Sequence, residues 1–161
     1  MPDPITLEML KSTKLATELD EGQTQALAKH CTVRDLKDEE ILCDEGRSDN
    51  RVHAIVSGAL AVAKRQPNGE WLNLNVLTKG DLAGELAFMD GKPHYAALRA
   101  MGPTRVVSLS RDELERMLDT EPVVVYRVMR SIFRVVHGIL HRMGAQQSEL
   151  TNYIYKLHAK Y

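Results

Sequence analysis

The spacing of apolar positions changes twice along the chain. After a polar opening at residues 1–4, Leu7 and Leu10, then Leu15 and Leu19, then Ala26, Leu27 and His30 recur at three or four residues. That spacing predicts short helices, closed by the charged run from Arg34 to Glu40. From Ile41 the period falls to two and turn pairs arrive quickly, which predicts strands at 40–43, 52–56, 59–64, 71–77, 95–100 and 105–109. The breaks between them are Glu45-Gly46, Ser57-Gly58, Asn68-Gly69, Lys79-Gly80-Asp81, Asp90-Gly91 and Gly102-Pro103. Asn68-Gly69 is the pair that a two-residue hairpin turn prefers. In the run from Trp71 to Val76, Leu72, Leu74 and Val76 alternate with Asn73 and Asn75, so this strand should have one dry face and one wet face.

Helical spacing then returns. Ser110-Arg111-Asp112-Glu113 reads as a capping box ahead of Leu114, Met117 and Leu118, and Thr120 is placed to cap a second helix with Pro122 in its first turn. In that helix Val125, Met129, Ile132, Val136, Ile139 and Met143 form a heptad seam, the pattern of a helix that pairs with another. Tyr126, Val128, Phe133, Val135 and Leu140 widen the stripe beyond what one partner covers, so the helix should pack on a copy of itself and also on its own β-structure. Arg127, Arg130, Arg134, His137 and His141 fall on the outer face, Gly138 and Gly144 weaken the distal half, and Leu150, Tyr153, Ile154 and Leu157 close it with a short amphipathic turn. The division this implies is 1–120 for N-terminal helices plus β-structure and 121–161 for the dimerisation helix and a short tail.

Composition narrows the class. A chain of 161 residues with 43% hydrophobic and 27% charged residues suits one globular core. The longest apolar stretch is interrupted by Arg127, Arg130, Arg134 and His137, so no membrane span or leader peptide is expected. Two cysteines, Cys31 and Cys43, are too few for a disulfide framework and form no CxxC pair, which fits a reducing cytoplasm and small, half-buried apolar roles. Net charge is −1, yet residues 121–161 carry six Lys or Arg against two Asp or Glu, as the solvated face of a helix does. His137 and His141 stand four apart without a HExxH pattern or an adjacent carboxylate, so no metal site is expected there. No nucleophile elbow, P-loop or dinucleotide fingerprint is present, and no catalytic set emerges.

One stretch carries specific chemistry. In Gly84-Glu85-Leu86-Ala87 a glycine at a strand-to-helix turn lets backbone approach a ligand, and the first helical amides point outward at an anion. Glu85 offers two acceptor oxygens. The run from Gly80 to Ala100, with Asp90-Gly91-Lys92-Pro93 as its turn and Ala96 opening a strand, resembles the phosphate-binding cassette of cyclic-nucleotide-binding domains. That is the family of the bacterial catabolite activator and of the regulatory subunits of cyclic-AMP-dependent kinase. Asp44-Glu45-Gly46 followed by Val52 to Gly58 extends the resemblance, which covers roughly residues 10–143.

The resemblance implies an α+β fold: a β-roll, or double-stranded jelly roll, with N-terminal helices and a long C-terminal dimerisation helix. It implies a non-enzymatic regulatory protein without a cofactor, whose ligand is cyclic AMP or cyclic GMP. The ligand-binding residues would be Gly84, Glu85, Leu86, Ala87, His94, Tyr95 and Ala96, with Glu85 on the ribose. The pattern breaks at His94, where the family has its phosphate-binding Arg. Arg forks onto two phosphate oxygens with a fixed charge, whereas His offers one donor per nitrogen, so binding should be weak or atypical. Lys92, in the turn, and Arg99, on the opposite strand face from His94, are poor replacements. Tyr95 has a ring that stacks on a purine or fills the pocket against one, and the sequence leaves both open. The chain ends too soon after Met143 for a helix-turn-helix domain, so no DNA binding is expected. It would act on an unidentified protein partner as a homodimer through Val125, Met129, Ile132, Val136, Ile139 and Met143, or serve as a ligand-independent dimeric scaffold with a degenerate pocket.

Overall fold

The computed structural model describes residue 5 and residues 7–159. Two short helices, α1 (Leu7–Lys11) and α2 (Glu21–Ala28), flank a 3₁₀ turn at Lys14–Ala16. Eight strands follow: β1 (Cys31–Leu36), β2 (Ile41–Cys43), β3 (Arg51–Ser57), β4 (Ala59–Arg65), β5 (Trp71–Thr78), β6 (Leu82–Ala83), β7 (Ala97–Ala100) and β8 (Thr104–Ser110). Helix α3 (Glu85–Asp90) interrupts them between β6 and β7, and α4 (Arg111–Arg116) and α5 (Pro122–His158) close the chain. The strands make two antiparallel four-stranded sheets, in the orders β1-β8-β3-β6 and β2-β7-β4-β5. This is the expected β-roll with helices at both ends.

The central strand β3 is apolar on both faces because each is covered. Val52 and Ala54 join Leu10, Leu15, Leu27, Phe88, Val107, Leu109, Val124, Val128 and Ile132 in a core between sheet and helices. Ile55 meets Leu36, Leu60, Val62, Leu98 and Val106 in a second core shared by the two sheets. A strand covered on both sides loses its alternation, and 52–55 are indeed all buried. The β3–β4 corner depends on Gly58 at φ +83°, where a Cβ would lie 2.5 Å from the Pro103 carbonyl oxygen.

Several elements depart from the sequence expectation. Strand β1 occupies what reads as the end of the helical block; its middle is exposed, and it is held to β8 by a bidentate pair of Arg105 on Asp35 at 2.6 and 2.9 Å. The Asn68-Gly69 hairpin is longer than two residues: Gly69 N–H donates to the Gln66 carbonyl and Gln66 N–H to that of Glu70, with only Gly69 at positive φ. Leu72, Leu74 and Val76 alternate with the asparagines but stay exposed, because β5 is an edge strand. Ser110 Oγ accepts from Glu113 N–H, yet the Glu113 carboxylate turns to His30 and Arg116 rather than back to Ser110, so the capping box is half made. The N-cap of α5 is Glu121, not Thr120, with Pro122 at its start.

Helix α5 runs unbroken through Gly138 and Gly144. Its first half is consumed by its own domain: Val125 and Ile132, expected at a dimer seam, lie in the core, with Ile132 only 1% exposed. The arginines expected on the outer face also look inward. Arg127 bonds Gln23 at 2.9 Å, Arg134 pairs with Glu18 at 2.6 Å, and Arg130 reaches the same carboxylate at 3.6 Å. The stripe left at least partly open keeps Met129, Val136 and Met143 of the expected seam and takes the next residue in place of Val125, Ile132 and Ile139. Tyr126, Met129, Phe133, Val136, Leu140 and Met143 continue at alternating spacings of three and four to Leu150, Ile154 and Leu157, with Gln147 the polar member. Phe133 is 69% exposed, and every residue from 140 to 159 is exposed, a projection of about 30 Å at 1.5 Å per residue. Among the described residues no helix is long and apolar enough to cross a membrane.

Candidate functional site

Strand β6 delivers the chain to Gly84, whose φ of +76° starts α3. A Cβ there would lie 3.1 Å from both the Arg51 carbonyl oxygen and Cε1 of His94, so strain and crowding both require glycine. The turn therefore sets Gly84 against the His94 ring, with Glu85 close enough to feel its charge. Leu86 is exposed, while Ala87 and Ala96 are buried. Tyr95 is 64% exposed, so its ring does not fill the site.

Glu85 is buried, 8% exposed, and no cation stands at ion-pair distance from it among the described residues. Burial pushes its carboxyl above the ordinary glutamate value, partly offset by its own backbone N–H and the nearby His94. A second carboxylate, Asp49, lies in the loop before β3 and has the opposite environment. His94 Nε2 is 3.1 Å from Asp49 Oδ1, and His53 Nε2 is 2.9 Å from Asp49 Oδ2. His53 is itself held on β3 by Ser108 Oγ at 2.6 Å from its Nδ1. Burial raises the Asp49 carboxyl, but hydrogen bonds from His53 and His94, the His53 charge and the Arg51 amide outweigh it and hold it well below the usual carboxylate range.

His94 is also fixed by its backbone: its N–H donates to the Arg47 carbonyl and its carbonyl accepts from Gly46 N–H, both at 2.8 Å. The ring replacing the cassette arginine is thus bound to an internal carboxylate. The other cations do not step in. Lys92 is exposed, and Arg99 pairs with Glu39 at 2.7 Å and lies 5.7 Å from the Trp71 ring centroid.

Cys31 and Cys43 are both free and buried, and burial raises their thiols to about 12 and about 11. Cys43, at the end of β2, faces the Asp49 group: its sulfur, an Asp49 carboxylate oxygen and a His94 ring nitrogen all lie within 4.8 Å of one another. Sequence reasoning missed Asp49 and His53 and set Cys43 apart from both. Only the fold brings a loop, two strand positions and the residue after Pro93 together. His137 and His141, the metal pair weighed from sequence, are exposed rings stacked at 6.5 Å. An open groove of about 800 Å³ runs from α3 to α5, lined by Leu86 and Met89 on one side and Tyr126, Met129, Phe133 and Val136 on the other.

Comparison with known proteins agrees with this geometry. Residues 33–121, more than half of the chain, match the family described as "Cyclic nucleotide-binding domain". The chain is 24% identical over 127 residues to a CRP-like cAMP-activated global transcriptional regulator of Mycobacterium tuberculosis, covering 79% of this chain and 57% of the relative. The chain thus spans little more than half the length of the curated relatives it matches. A cyclic nucleotide-binding domain from Methylobacillus flagellatus superposes with a TM-score of 0.74 at 24% identity, over 84% of this chain and 76% of that one. The regulatory subunit of a cAMP-independent protein kinase A from Trypanosoma brucei superposes with a TM-score of 0.67 at 19% identity, over 81% and 44%. With the β-roll, the Gly84 turn and the α3 cassette in place, the chain belongs to the cyclic nucleotide-binding domain family.

Proposed function

We propose that this chain is a non-enzymatic regulatory domain that senses a cyclic nucleotide weakly at the Gly84 turn and transmits its state through α5 to a protein partner. The observation that carries the reading is Glu85: a buried carboxylate with no cation at ion-pair distance among the described residues, on the glycine turn that opens the cassette, has acceptor capacity left for a ribose hydroxyl. Gly84, Leu86, Ala87, Tyr95 and Ala96 would shape the rest of the site. Binding is weak because His94 is engaged by Asp49, and a phosphate entering there meets an ionised carboxylate without an opposing arginine. The groove between α3 and α5 supports the route of transmission, since a shift of Leu86 or Met89 changes what α5 packs against.

In this reading dimerisation follows the stripe that keeps Met129, Val136 and Met143 of the expected seam and adds Tyr126, Phe133 and Leu140. Nine apolar residues at heptad spacing on a projecting helix would be a large apolar patch in water, and pairing with a second copy covers it. Sedimentation at tens of micromolar tests this. A dimer that Phe133→Asp/Leu140→Asp converts to a folded monomer is expected, and a monomeric wild type would contradict it. Ile132→Asp is unsuited to the purpose, because it places a charge in the chain's own core.

The alternative is a ligand-independent dimeric scaffold. The Asp49–His94 bond favours it, since this bond engages the ring that stands where the family has its phosphate-binding arginine. Calorimetry with cyclic AMP and cyclic GMP separates the two: millimolar-range binding lost in Glu85→Ala supports the sensor, and no heat at any concentration supports the scaffold.

A further inference from the structure

We propose that Cys43, Asp49 and His94 form a three-donor binding site for a zinc-class divalent cation, buried beneath the Gly84 turn and independent of whether any nucleotide binds. The three donors come from three separate segments: the end of β2, the loop before β3 and the residue after Pro93. Their donor atoms nevertheless lie within 4.8 Å of one another, with Asp49 Oδ1 and His94 Nε2 at 3.1 Å. Tetrahedral zinc, with bonds of roughly 2.0 to 2.3 Å, holds neighbouring donors about 3.3 to 3.7 Å apart. The oxygen and nitrogen are already that close, and the sulfur closes by about 1 Å.

The donor set selects the ion. Thiolate, imidazole and carboxylate together suit zinc, whereas magnesium and calcium favour oxygen alone. Three protein donors leave a fourth tetrahedral position for water or an anionic group. The surroundings also have the form of a metal support. His53 binds the second Asp49 oxygen at 2.9 Å and is itself fixed by Ser108, which orients the carboxylate as outer partners orient a metal ligand. The backbone clamps on His94 from Arg47 and Gly46 fix where its ring stands. Cys43 makes only a 3.9 Å contact from its sulfur to the Asp44 carbonyl, so little is given up when the sulfur turns to a cation. On binding, two bonds to the metal replace the Asp49–His94 hydrogen bond: the proton on His94 Nε2 is given up, to Nδ1 or to solvent, so that Nε2 presents its lone pair, and the Cys43 proton leaves to solvent.

Chelator-stripped protein titrated with cobalt(II) and then zinc tests the site. One cobalt per chain should bind with a thiolate-to-metal charge-transfer band and the visible spectrum of tetrahedral coordination, and zinc should abolish both. Cys43→Ser should remove the charge-transfer band and weaken zinc at least about tenfold, as should His94→Gln, with folding checked by circular dichroism. His137→Ala/His141→Ala should change neither. Two further readings use the wild type alone: zinc should raise its thermal midpoint, and calorimetry in two buffers should show proton release on binding. No stoichiometric cobalt spectrum in the wild type would overturn the proposal. So would a charge-transfer band that survives Cys43→Ser, or one lost only with the α5 histidines.

Discussion

Two carboxylates lie on either side of the Gly84 turn, and their surroundings drive them apart. Asp49 is half-buried and receives two imidazoles and a backbone amide, so its charged form is favoured far into the acid range. Glu85 is more deeply buried with no cation at contact, and desolvation disfavours its charge. One carboxylate is engaged by its neighbours, and the other is desolvated with little to offset it. Asp49 has spent its acceptors on His53 and His94 and so fixes the loop to the sheets. Glu85 is held with its charge disfavoured, at a cost in stability that fits the ligand role proposed for it.

Removing the Asp49 interactions should have the largest effect. In metal-free protein Asp49→Ala leaves His53 and His94 without their common acceptor, costing about 2 to 3 kcal/mol, or roughly 5 to 10 °C in thermal midpoint for a chain of this size. A midpoint unchanged within a degree would mean that these bonds do not hold the loop. Glu85→Gln should move the other way, stabilising the unliganded protein by about 1 kcal/mol at pH 7 while abolishing nucleotide binding. Its size depends on pH. A raised carboxyl stabilises the fold below its unfolded value and loses that contribution as pH rises through its folded value. The advantage of Glu85→Gln therefore opens as pH climbs above the ordinary glutamate value, is complete once pH passes the raised value, and closes below the ordinary value, which denaturation at several pH values reads directly. The smallest effect is on thiol reactivity. Burial and the charges of Asp49 and Asp44 raise Cys43, so native alkylation at pH 8 is slow, and Asp49→Asn should speed it a few-fold. Cys31, raised by burial and Glu113, should not respond, and equal acceleration of both would point to general loosening instead.

Much of the fold was legible because its signals are local. The period-two runs around Val52 and Ala59, the glycine turns and Gly84-Glu85-Leu86-Ala87 each mark structure within a few residues. Strand β1 was not legible, since its inner residues face solvent and its anchor is Arg105, seventy residues away. Half of the α5 stripe was legible: Met129, Val136 and Met143 stay on it, while Val125 and Ile132 are taken into the core. Val125 and Ile132 fit a heptad seam as well as Tyr126 and Phe133 do, and only packing against Val52, Phe88 and the N-terminal helices decides which set is covered. At the site, His94 stood out as a departure from the family pattern, but the carboxylate that takes up its ring lies 45 residues earlier in a loop with no motif. A pairing between distant polar residues leaves no periodic trace, so Asp49, His53 and Cys43 emerge together only in three dimensions.

The weak nucleotide binding proposed for the cassette rests on Asp49 holding the residue that stands in the arginine's place. His94→Arg alone would have its guanidinium captured by Asp49, so the decisive variant is Asp49→Ser/His94→Arg. Titration calorimetry with cyclic AMP on metal-free protein should show weak binding for the wild type. The double variant should bind at least about tenfold more tightly, the worth of one charge-assisted hydrogen bond, and Glu85→Ala should abolish the gain. Tight wild-type binding that neither Glu85→Ala nor the double variant alters would contradict it.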